Sequence, residues 1–275
     1  MQYESINLNV TTPGKSDFTA TLSSYVPDPS IEIPADRLRP AVLICPGGGY
    51  TFVSPREGEP IALRFAAAGI CAFVLEYSVA PARFPQALCE TLTAMAYIRE
   101  NAERFCLDPN RIALCGFSAG GHLAASAAVF WNHPMVAPYL KKTGDVLRPN
   151  ALVLAYPVII NEGPCHRDSF KALLGEDGCR DPKMLELTSL EKQVNEDTPP
   201  TFIWHTAEDA AVPVQNSLAF GAALADRHIP LELHIYRRGP HGLSLGDQVV
   251  CGDRRFGEEH MSSDWIEKAI RFIYD

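Results

Sequence analysis

The sequence predicts an α/β fold in which a mostly parallel central sheet of about eight strands is flanked by helices on both faces. Two observations carry this prediction. Strand-like and helix-like segments alternate through most of the 275 residues, which favours parallel strands joined by right-handed crossovers. The inner strand-like runs, such as 151–155, are continuously apolar, as in strands that are covered on both faces. We therefore expect a single domain spanning residues 1–275.

Seven of the strands can be assigned in chain order. Their ranges are 18–26, 41–45, 71–77, 111–115, 151–156, 200–206 and 231–236. The first is expected to be an antiparallel strand at the sheet edge, because another polar–apolar stretch follows it closely. The inner runs lack a polar face and therefore suit the buried centre of the sheet.

Five helices are expected in the connections between strands. Their ranges are 60–68, 84–105, 119–130, 214–227 and 262–274. The first is rich in alanine and stops at Gly69, and the second places apolar residues near helical spacing. The last carries an apolar stripe that suits packing against the sheet.

Residues 157–199 interrupt this alternation. The segment carries many charges, several prolines and little periodicity, and it is long for a connection within a compact domain. We expect an insertion over the strand ends that acts as a partial lid, with one short helix near 183–193. The alternative is a solvated excursion with no role.

The most informative local pattern is Gly116-Phe117-Ser118-Ala119-Gly120, which directly follows the apolar run 111–115. A strand, a sharp turn and a helix in this order expose a serine hydroxyl at the top of a sheet, and the turn leaves no room for side chains at the glycines. Ser118 is therefore the predicted nucleophile. Because a five-residue pattern also arises by chance, the prediction depends on the other parts of the site.

A serine hydroxyl needs a general base within hydrogen-bonding distance, and histidine is the usual base near neutral pH. Of the eight histidines, His241 is the predicted base because it lies in a glycine-containing loop, 238–243, after the last strand. His205 lies in a strand-like run and His122 on the helix after Ser118, so both are expected to pack or to support the site. The other histidines have no distinguishing context: His133, His166, His228, His234 and His260.

The predicted acid is Asp209, which would orient His241 and stabilise its imidazolium form. Asp209 follows the strand at 200–206, in a loop that can meet the histidine loop after the next strand. The neighbouring Glu208 is the alternative acid.

A glycine-rich loop, Cys45-Pro-Gly-Gly-Gly-Tyr50, directly follows the strand at 41–45. Glycines let the backbone approach a developing negative charge, and their free N–H groups can bind it. We assign the backbone N–H groups of Gly48, Gly49 and Ala119 to an oxyanion hole. A plain turn or a phosphate-binding loop is the alternative, but the Gly-Lys-Ser/Thr ending of a nucleotide P-loop is absent.

Four motifs in this order resemble the α/β-hydrolase superfamily: Pro46-Gly-Gly-Gly-Tyr50, Gly116-Phe-Ser-Ala-Gly-Gly-His-Leu123, Asp209-x-x-Val-Pro213 and Pro240-His-Gly242. Across residues 20–275 the chain is most similar to small carboxylesterases related to bacterial acetyl-xylan and feruloyl esterases. The stretch that begins at Glu76 also resembles hormone-sensitive-lipase-like esterases. The chain departs from the usual His-Gly-Gly-Gly form, since Pro46 replaces the histidine, and this puts the local hydrogen bonding in question.

The resemblance implies a serine carboxylesterase that hydrolyses short acyl esters, with acetyl expected, of carbohydrates such as xylo-oligosaccharides. Side chains expected near the strand tops are Tyr50, Phe52, Arg56, Tyr77, Arg83, Trp131, Tyr156 and Leu243. Five of these are the predicted substrate contacts, namely Tyr50, Tyr77, Trp131, Tyr156 and Leu243. Each could instead be a packing residue.

Three other functions remain open at this point. An arylformamidase or a small peptidase would use the same fold. Comparing the hydrolysis of matched amide and ester substrates would distinguish them from an esterase. A non-catalytic binding protein of the same fold usually lacks the nucleophile or the base, whereas this chain carries both Ser118 and His241.

Composition limits the partners. A net charge of −9 disfavours nucleic acid, which binds basic surfaces, and fits a neutral small-molecule ester. No stretch approaches the roughly 20 apolar residues of a membrane span. The first residues lack the basic start and apolar core of a signal peptide, so a cytoplasmic protein is expected. We expect no cofactor and no metal, since no ligand spacing is recognisable, and a homodimer remains open.

The eight cysteines show no Cys-x-x-Cys pair. Cys45, Cys71 and Cys115 fall in or beside apolar strands, as expected of small reduced core residues. Cys165 and Cys179 fall in the polar insertion, where pairing or metal binding is the alternative.

Overall fold

The computed structural model describes residues 1–10, 12, 18–29, 32, 38–251 and 261–275. The strands in this part of the chain are β1 (Gln2–Asn9), β2 (Thr19–Val26), β3 (Arg39–Cys45), β4 (Cys71–Glu76), β5 (Leu107–Phe117), β6 (Ala151–Ala155), β7 (Thr201–Thr206) and β8 (Leu231–Tyr236). They form one eight-stranded sheet in the order β1-β2-β4-β3-β5-β6-β7-β8.

In this order across the sheet, neighbouring strands from β4 through β3 to β8 are parallel. At the other side, β1 pairs antiparallel with β2, and β2 pairs antiparallel with β4. The predicted mostly parallel sheet of about eight strands is confirmed. The edge prediction was wrong, since β2 is antiparallel but lies second from the edge, inside β1. Only Ile6 and Leu8 give β1 an apolar inner face, so its alternation was too short to detect.

The helices of the described residues are α1 (Glu59–Ala67), α2 (Gln86–Glu100), α3 (Ala102–Phe105), α4 (Ala119–Phe130), α5 (Arg167–Gly178), α6 (Pro182–Thr188), α7 (Gln215–Asp226), α8 (Gln248–Cys251) and α9 (Trp265–Tyr274). The single helix expected at 84–105 is two helices, because α2 ends before Asn101. The Asn101 side-chain amide donates to the Tyr97 carbonyl in the last turn of α2, at 2.8 Å. Such local side-chain bonds compete with helix continuation.

The insertion at 157–199 contains more structure than the sequence suggested. It holds α5 and α6, whereas one short helix was expected. Helix α5 is capped by His166, whose side chain accepts the Ser169 backbone N–H. Histidine is not among the usual capping residues, so the start of this helix carried no recognisable signal.

The core forms two layers, one on each face of the sheet. Residues of α2, α4 and α7 pack on one face, and residues of α1 and α9 on the other. The expectation of helices on both faces is confirmed. All twelve residues of α4 are buried, which holds the N-terminus of that helix rigidly under the end of β5.

The predicted core cysteines Cys45, Cys71 and Cys115 are fully buried. Cys165 and Cys179 are half-buried free thiols that do not pair with each other. None of the helices in the described ranges has the length and apolarity needed to cross a membrane.

Candidate active site

Ser118 lies on a strained turn between β5 and α4. Its backbone has φ 53° and ψ −119°, a conformation that L-residues rarely adopt and that is costly unless the surroundings enforce it. A Cβ at Gly116 would lie 2.3 Å from the Gly120 carbonyl oxygen, and a Cβ at Gly120 would lie 2.1 Å from the carbonyl oxygen of Cys45. Both glycines are therefore required sterically, because the start of α4 meets the backbone at the ends of both β5 and β3.

A chain of hydrogen bonds joins the three residues that the sequence selected as catalytic. Ser118 Oγ lies 2.8 Å from His241 Nε2. On the other side of the ring, His241 Nδ1 lies 2.6 Å from Asp209 Oδ2. The Arg56 guanidinium donates to the Gly242 carbonyl at 3.2 Å, which fixes the loop that carries His241. The arrangement allows a proton to pass from the serine hydroxyl to the imidazole.

Asp209 is fully buried and held as an ionised carboxylate. Its Oδ1 accepts the backbone N–H groups of Ala211, at 3.0 Å, and Val212, at 2.9 Å. Burial by itself raises the pKa of Asp209, but hydrogen bonds from His205 and His241 outweigh it and hold that pKa well below its usual range. A carboxylate that stays charged can orient the imidazole and stabilise its protonated form.

His205 supports this carboxylate from beneath, as the sequence suggested. Its Nε2 lies 2.9 Å from the Val212 carbonyl oxygen, which only accepts, so the ring proton is on Nε2. The same nitrogen lies 3.2 Å from Asp209 Oδ2, and Nδ1 lies 2.7 Å from Ser217 Oγ. The alternative acid, Glu208, does not reach His241; its carboxylate accepts the Gly239 backbone N–H at 3.4 Å.

The glycine-rich loop after β3 presents free donors beside Ser118. Gly47 uses its N–H in a bond to Glu57 Oε2, at 2.9 Å. The N–H groups of Gly48, Gly49 and Ala119 donate to no group within the described residues. Gly48 has φ 128°, and a Cβ there would meet the Phe52 carbonyl oxygen at 1.9 Å. Gly48 and Gly49 line the same cavity as Ser118, which is the placement an oxyanion hole requires.

Pro46 leaves this loop well bonded, although the resemblance implied a histidine at this position. The Tyr77 hydroxyl donates to the Pro46 carbonyl at 2.7 Å. The Tyr50 hydroxyl lies 2.9 Å from His122 Nδ1, and His122 Nε2 lies 3.0 Å from the Thr188 carbonyl. His122 must therefore donate from Nε2 and accept at Nδ1, and burial lowers its pKa to about 4. It supports the loop, as expected.

Glu57 is a buried carboxylate of the site that the sequence analysis did not identify. Besides the Gly47 N–H, it accepts the Tyr156 hydroxyl at 2.6 Å, and that hydroxyl accepts the Ser244 N–H at 2.9 Å. Glu57 thereby links the glycine-rich loop to the segment that follows His241. No sequence signal marked it, because Glu57 accepts from a backbone N–H and from a tyrosine that lies 99 residues further along the chain.

The five predicted substrate contacts do not line the cavity that contains Ser118, and we correct that prediction. All of them are buried: Tyr50, Tyr77, Trp131, Tyr156 and Leu243. The tyrosine hydroxyls are used internally, as described above, and Trp131 donates to the Asp197 carbonyl at 3.4 Å at the far end of α4. Leu243 belongs to the core layer that contains α9. Position near a strand end did not reveal which way each side chain turns.

The cavity has a volume of about 340 Å³, and its wall combines polar and apolar surface in similar amounts. It is lined by Gly48, Gly49, Thr51, Phe52, Ser54, Arg56, Glu57, Ser118, His166, Asp168, His241 and Gly242. His166 and Asp168 come from the insertion, and the sequence analysis assigned neither a role. His260 lies outside the described residues. Within those residues, no group of three or more His, Cys, Asp or Glu side chains is arranged to hold a metal ion.

Known proteins resemble this chain in sequence. The model of the BD-FAE family matches residues 31–224. Endo-1,4-beta-xylanase B of Butyrivibrio fibrisolvens is 39% identical over 237 residues, covering 82% of this chain and 36% of that protein. Acetylxylan esterase of Xylanibacter ruminicola is 30% identical over 243 residues, covering 87% of this chain and 46% of that protein. The chain therefore spans less than half the length of these two relatives.

Solved structures match over nearly the whole chain. The acetyl ester-xyloside bifunctional hydrolase of Caldicellulosiruptor lactoaceticus superposes with a TM-score of 0.80 at 35% identity, covering 96% of this chain and 90% of that one. The carboxylesterase Cest-2923 of Lactobacillus plantarum superposes with a TM-score of 0.83 at 27% identity, covering 100% and 97%. The chain accordingly belongs to the BD-FAE family and has the α/β-hydrolase fold.

Proposed function

We propose that this chain is a serine carboxylesterase that removes short acyl groups, acetyl above all, from carbohydrates such as xylo-oligosaccharides. The observation that carries the mechanism is the hydrogen-bonded series from Ser118 Oγ through His241 to Asp209. The carbohydrate preference is supported by the relatives, two of whose names refer to acetylated or xylan substrates.

In the first step, Ser118 Oγ attacks the ester carbonyl carbon while its proton passes to His241 Nε2. The negative charge that develops on the carbonyl oxygen is bound by the N–H groups of Gly48, Gly49 and Ala119. Asp209 accepts the Nδ1–H bond and stabilises the imidazolium. The bond to the leaving alcohol then breaks, and His241 returns the proton to the alcohol oxygen, which leaves an acyl group on Ser118.

In the second step, water enters where the alcohol left. His241 removes a proton from the water, whose oxygen attacks the acyl carbon of the acyl-enzyme. The same N–H groups bind the second oxyanion. When the bond to Ser118 Oγ breaks, His241 gives the proton back to the serine, and the free acid departs.

The cavity wall supports a short acyl group and a hydrophilic alcohol. Thr51, Ser54, Arg56, His166 and Asp168 face the same space as Ser118. Apolar pockets bind long acyl chains by burying their hydrocarbon surface. A fatty chain packed against side chains such as Thr51 and Asp168 would remove water from them without replacing its hydrogen bonds, which disfavours a long acyl group.

The experiment is to measure hydrolysis of 4-nitrophenyl acetate, butyrate and octanoate by the wild type, Ser118→Ala and Ser126→Ala. Ser126 is the matched control because it is buried on α4 and its Oγ has no hydrogen-bond partner among the described residues. We expect acetate to be the best substrate and Ser118→Ala to lose about 10⁴-fold or more in kcat.

Ser126→Ala should stay within a few-fold of the wild type. Activity that survives in Ser118→Ala would contradict the serine mechanism, and a preference for octanoate would contradict the short-acyl proposal. Acetylated xylo-oligosaccharides are the substrates to test next.

A further inference from the structure

Two polar side chains of the cavity take no part in the proposed proton transfer. His166 and Asp168 both belong to the insertion, and both line the space into which Ser118 and His241 open. The Asp168 side chain is 84% exposed and lies 3.5 Å from Lys171, so its carboxylate can still accept from a ligand. The His166 ring is half-buried.

The hydrogen bonds of His166 define which ring nitrogen carries the proton. The Ser169 backbone N–H, which can only donate, points to His166 Nδ1 at 3.3 Å, and Ser169 Oγ lies 2.8 Å from the same nitrogen. Nδ1 is therefore an acceptor, and the proton of the neutral ring is on Nε2. Within the described part of the chain, Nε2 has no hydrogen-bond partner.

The ring is held in place by the elements around it. Ser169 is buried and lies beside the glycine-rich loop, since its Oγ is 3.8 Å from the position of a Cβ at Gly49. The buried Asn216 side chain on α7 accepts the N–H groups of Ile159 and Ile160 and donates to the Pro164 carbonyl. These bonds tie the segment before His166 to the element that follows the Asp209 loop.

His166 is suited to act as a neutral donor. Burial lowers its pKa, and the nearby His241 lowers it further, against the opposing effect of Asp168 and Asp209. A neutral imidazole with its proton on Nε2 can donate to an oxygen without forming an ion pair. The adjacent Asp168 carboxylate can only accept.

We propose that His166 Nε2–H, together with the Asp168 carboxylate, binds hydroxyl groups of the alcohol portion of the ester and so selects polyhydroxylated alcohols. The inference rests on the proposed function. An acetyl group offers one polar atom, its carbonyl oxygen, and the oxyanion N–H groups take that atom. A donor and an acceptor side by side then match an alcohol that keeps at least one free hydroxyl beside the esterified one, since a hydroxyl can accept from His166 and donate to Asp168.

The test uses His166→Asn, because asparagine is a good N-cap and its amide oxygen can still accept the Ser169 N–H. The variant thus keeps the start of α5 and removes the donor at Nε2. The substrates are monoacetylated xylobiose, which has free hydroxyls, and 4-nitrophenyl acetate, whose leaving group has none. The measured quantity is the ratio of their kcat/KM values.

We expect His166→Asn to lower this ratio about tenfold, mainly through a higher KM for the sugar ester, as the loss of one hydrogen bond predicts. His166→Gln, whose amide nitrogen can approach the position of Nε2, should recover part of the ratio. Asp168→Asn should lower the ratio by a smaller factor. Glu176→Gln, an exposed carboxylate on the same helix that does not line the cavity, is the matched control.

An unchanged ratio in His166→Asn would overturn the proposal. So would an equal fall for both substrates with no recovery in His166→Gln, which would indicate a structural role. If the wild type hydrolyses 4-nitrophenyl acetate but not the sugar ester, the carbohydrate part of the proposed function fails and this inference fails with it. If the wild type hydrolyses both and the ratio does not move, only this inference fails.

Discussion

The two walls of the cavity are held by different forces. The catalytic wall, formed by Gly48, Gly49, Ser118 and His241, sits on strand ends where backbones pack so closely that a Cβ at Gly120 would lie 2.1 Å from a carbonyl oxygen. The insertion wall, formed by His166 and Asp168, is held by side chains that bond to backbone groups. We therefore expect the catalytic wall to tolerate almost no substitution. The insertion wall can accept other side chains, and these would alter which ester is hydrolysed.

The largest effect is expected from Asp209, the acid that holds His241 of the catalytic wall. Asp209→Asn should lower kcat by about 10⁴-fold, because an amide cannot hold the His241 tautomer or stabilise the imidazolium. The matched control is Glu208→Gln, which removes the neighbouring carboxylate and should change kcat by less than about threefold. Steady-state kinetics with 4-nitrophenyl acetate measure both, and equal losses in the two variants would refute the assignment of Asp209.

Two glycine-to-alanine substitutions, one beside each wall, test the difference in how closely the backbone is packed. Gly120→Ala should lower the free energy of unfolding by about 3 kcal/mol or more, because the new methyl group meets backbone oxygens that cannot move aside. Gly163 in the insertion also has a positive φ, of 63°, but among the described residues no atom lies within 4 Å of a Cβ built there by Gly163→Ala. It should cost only about 1 kcal/mol, from backbone strain. Chemical denaturation measures both, and similar costs would contradict the comparison.

His122 joins the two walls, since it contacts Tyr50 of the glycine-rich loop and Thr188 of the insertion. Its folded-state pKa of about 4 lies below the value of 6.5 for an unperturbed histidine. Between pH 6.5 and 4 the unfolded chain therefore binds more protons than the native state. The contribution of neutral His122 to the free energy of unfolding is fully present above pH 6.5. As the pH falls to 4, this contribution decreases by about 3 kcal/mol.

The measurement compares the wild type with His122→Gln, which does not titrate at this position. The free energy of unfolding of the wild type, relative to that of His122→Gln, should fall by about 3 kcal/mol from pH 7 to pH 4. The other titrating groups are common to both proteins, so their effects cancel in this difference. A difference that stays constant with pH would show that His122 is not held neutral in the native state.

A smaller stability effect than that of Gly120→Ala is expected for the hydrogen bonds that hold the insertion wall. Asn216→Ala should lower the free energy of unfolding by about 2 kcal/mol, since the backbone N–H groups of Ile159 and Ile160 lose their acceptor. Because these bonds hold the segment before His166, the ratio of sugar-ester to 4-nitrophenyl acetate activity should fall as well. If Asn216→Ala lowers the free energy of unfolding but leaves the activity ratio unchanged, the bonds of Asn216 do not contribute to substrate selection.

Short sequence patterns were sufficient to select the candidate catalytic residues. The alternation of strands and helices placed the ends of parallel strands at one edge of the sheet, and Ser118, Asp209 and His241 each follow such an end. The turn at Ser118 and the loop at Gly48 also have local signals, because a Cβ at Gly116 would meet the Gly120 carbonyl oxygen and a Cβ at Gly48 would meet the Phe52 carbonyl oxygen, each four residues further along the chain. These are properties that a short stretch of residues expresses by itself.

Local pattern failed where contacts join distant segments. Tyr156 follows a strand end, as a substrate contact would, but its hydroxyl turns inward to Glu57, so it belongs to the core. The strand β1 and the helix α5 were missed because one has a short apolar face and the other an unusual cap.

The sequence by itself thus determined the fold class, the turn that carries Ser118 and the order of the candidate catalytic residues. Only the tertiary structure decided that Glu57 lies beneath the glycine-rich loop and that His166 and Asp168 face the cavity. The physical reason is that these placements depend on hydrogen bonds and packing between segments far apart in the chain. No periodicity or turn chemistry near those residues encodes such contacts.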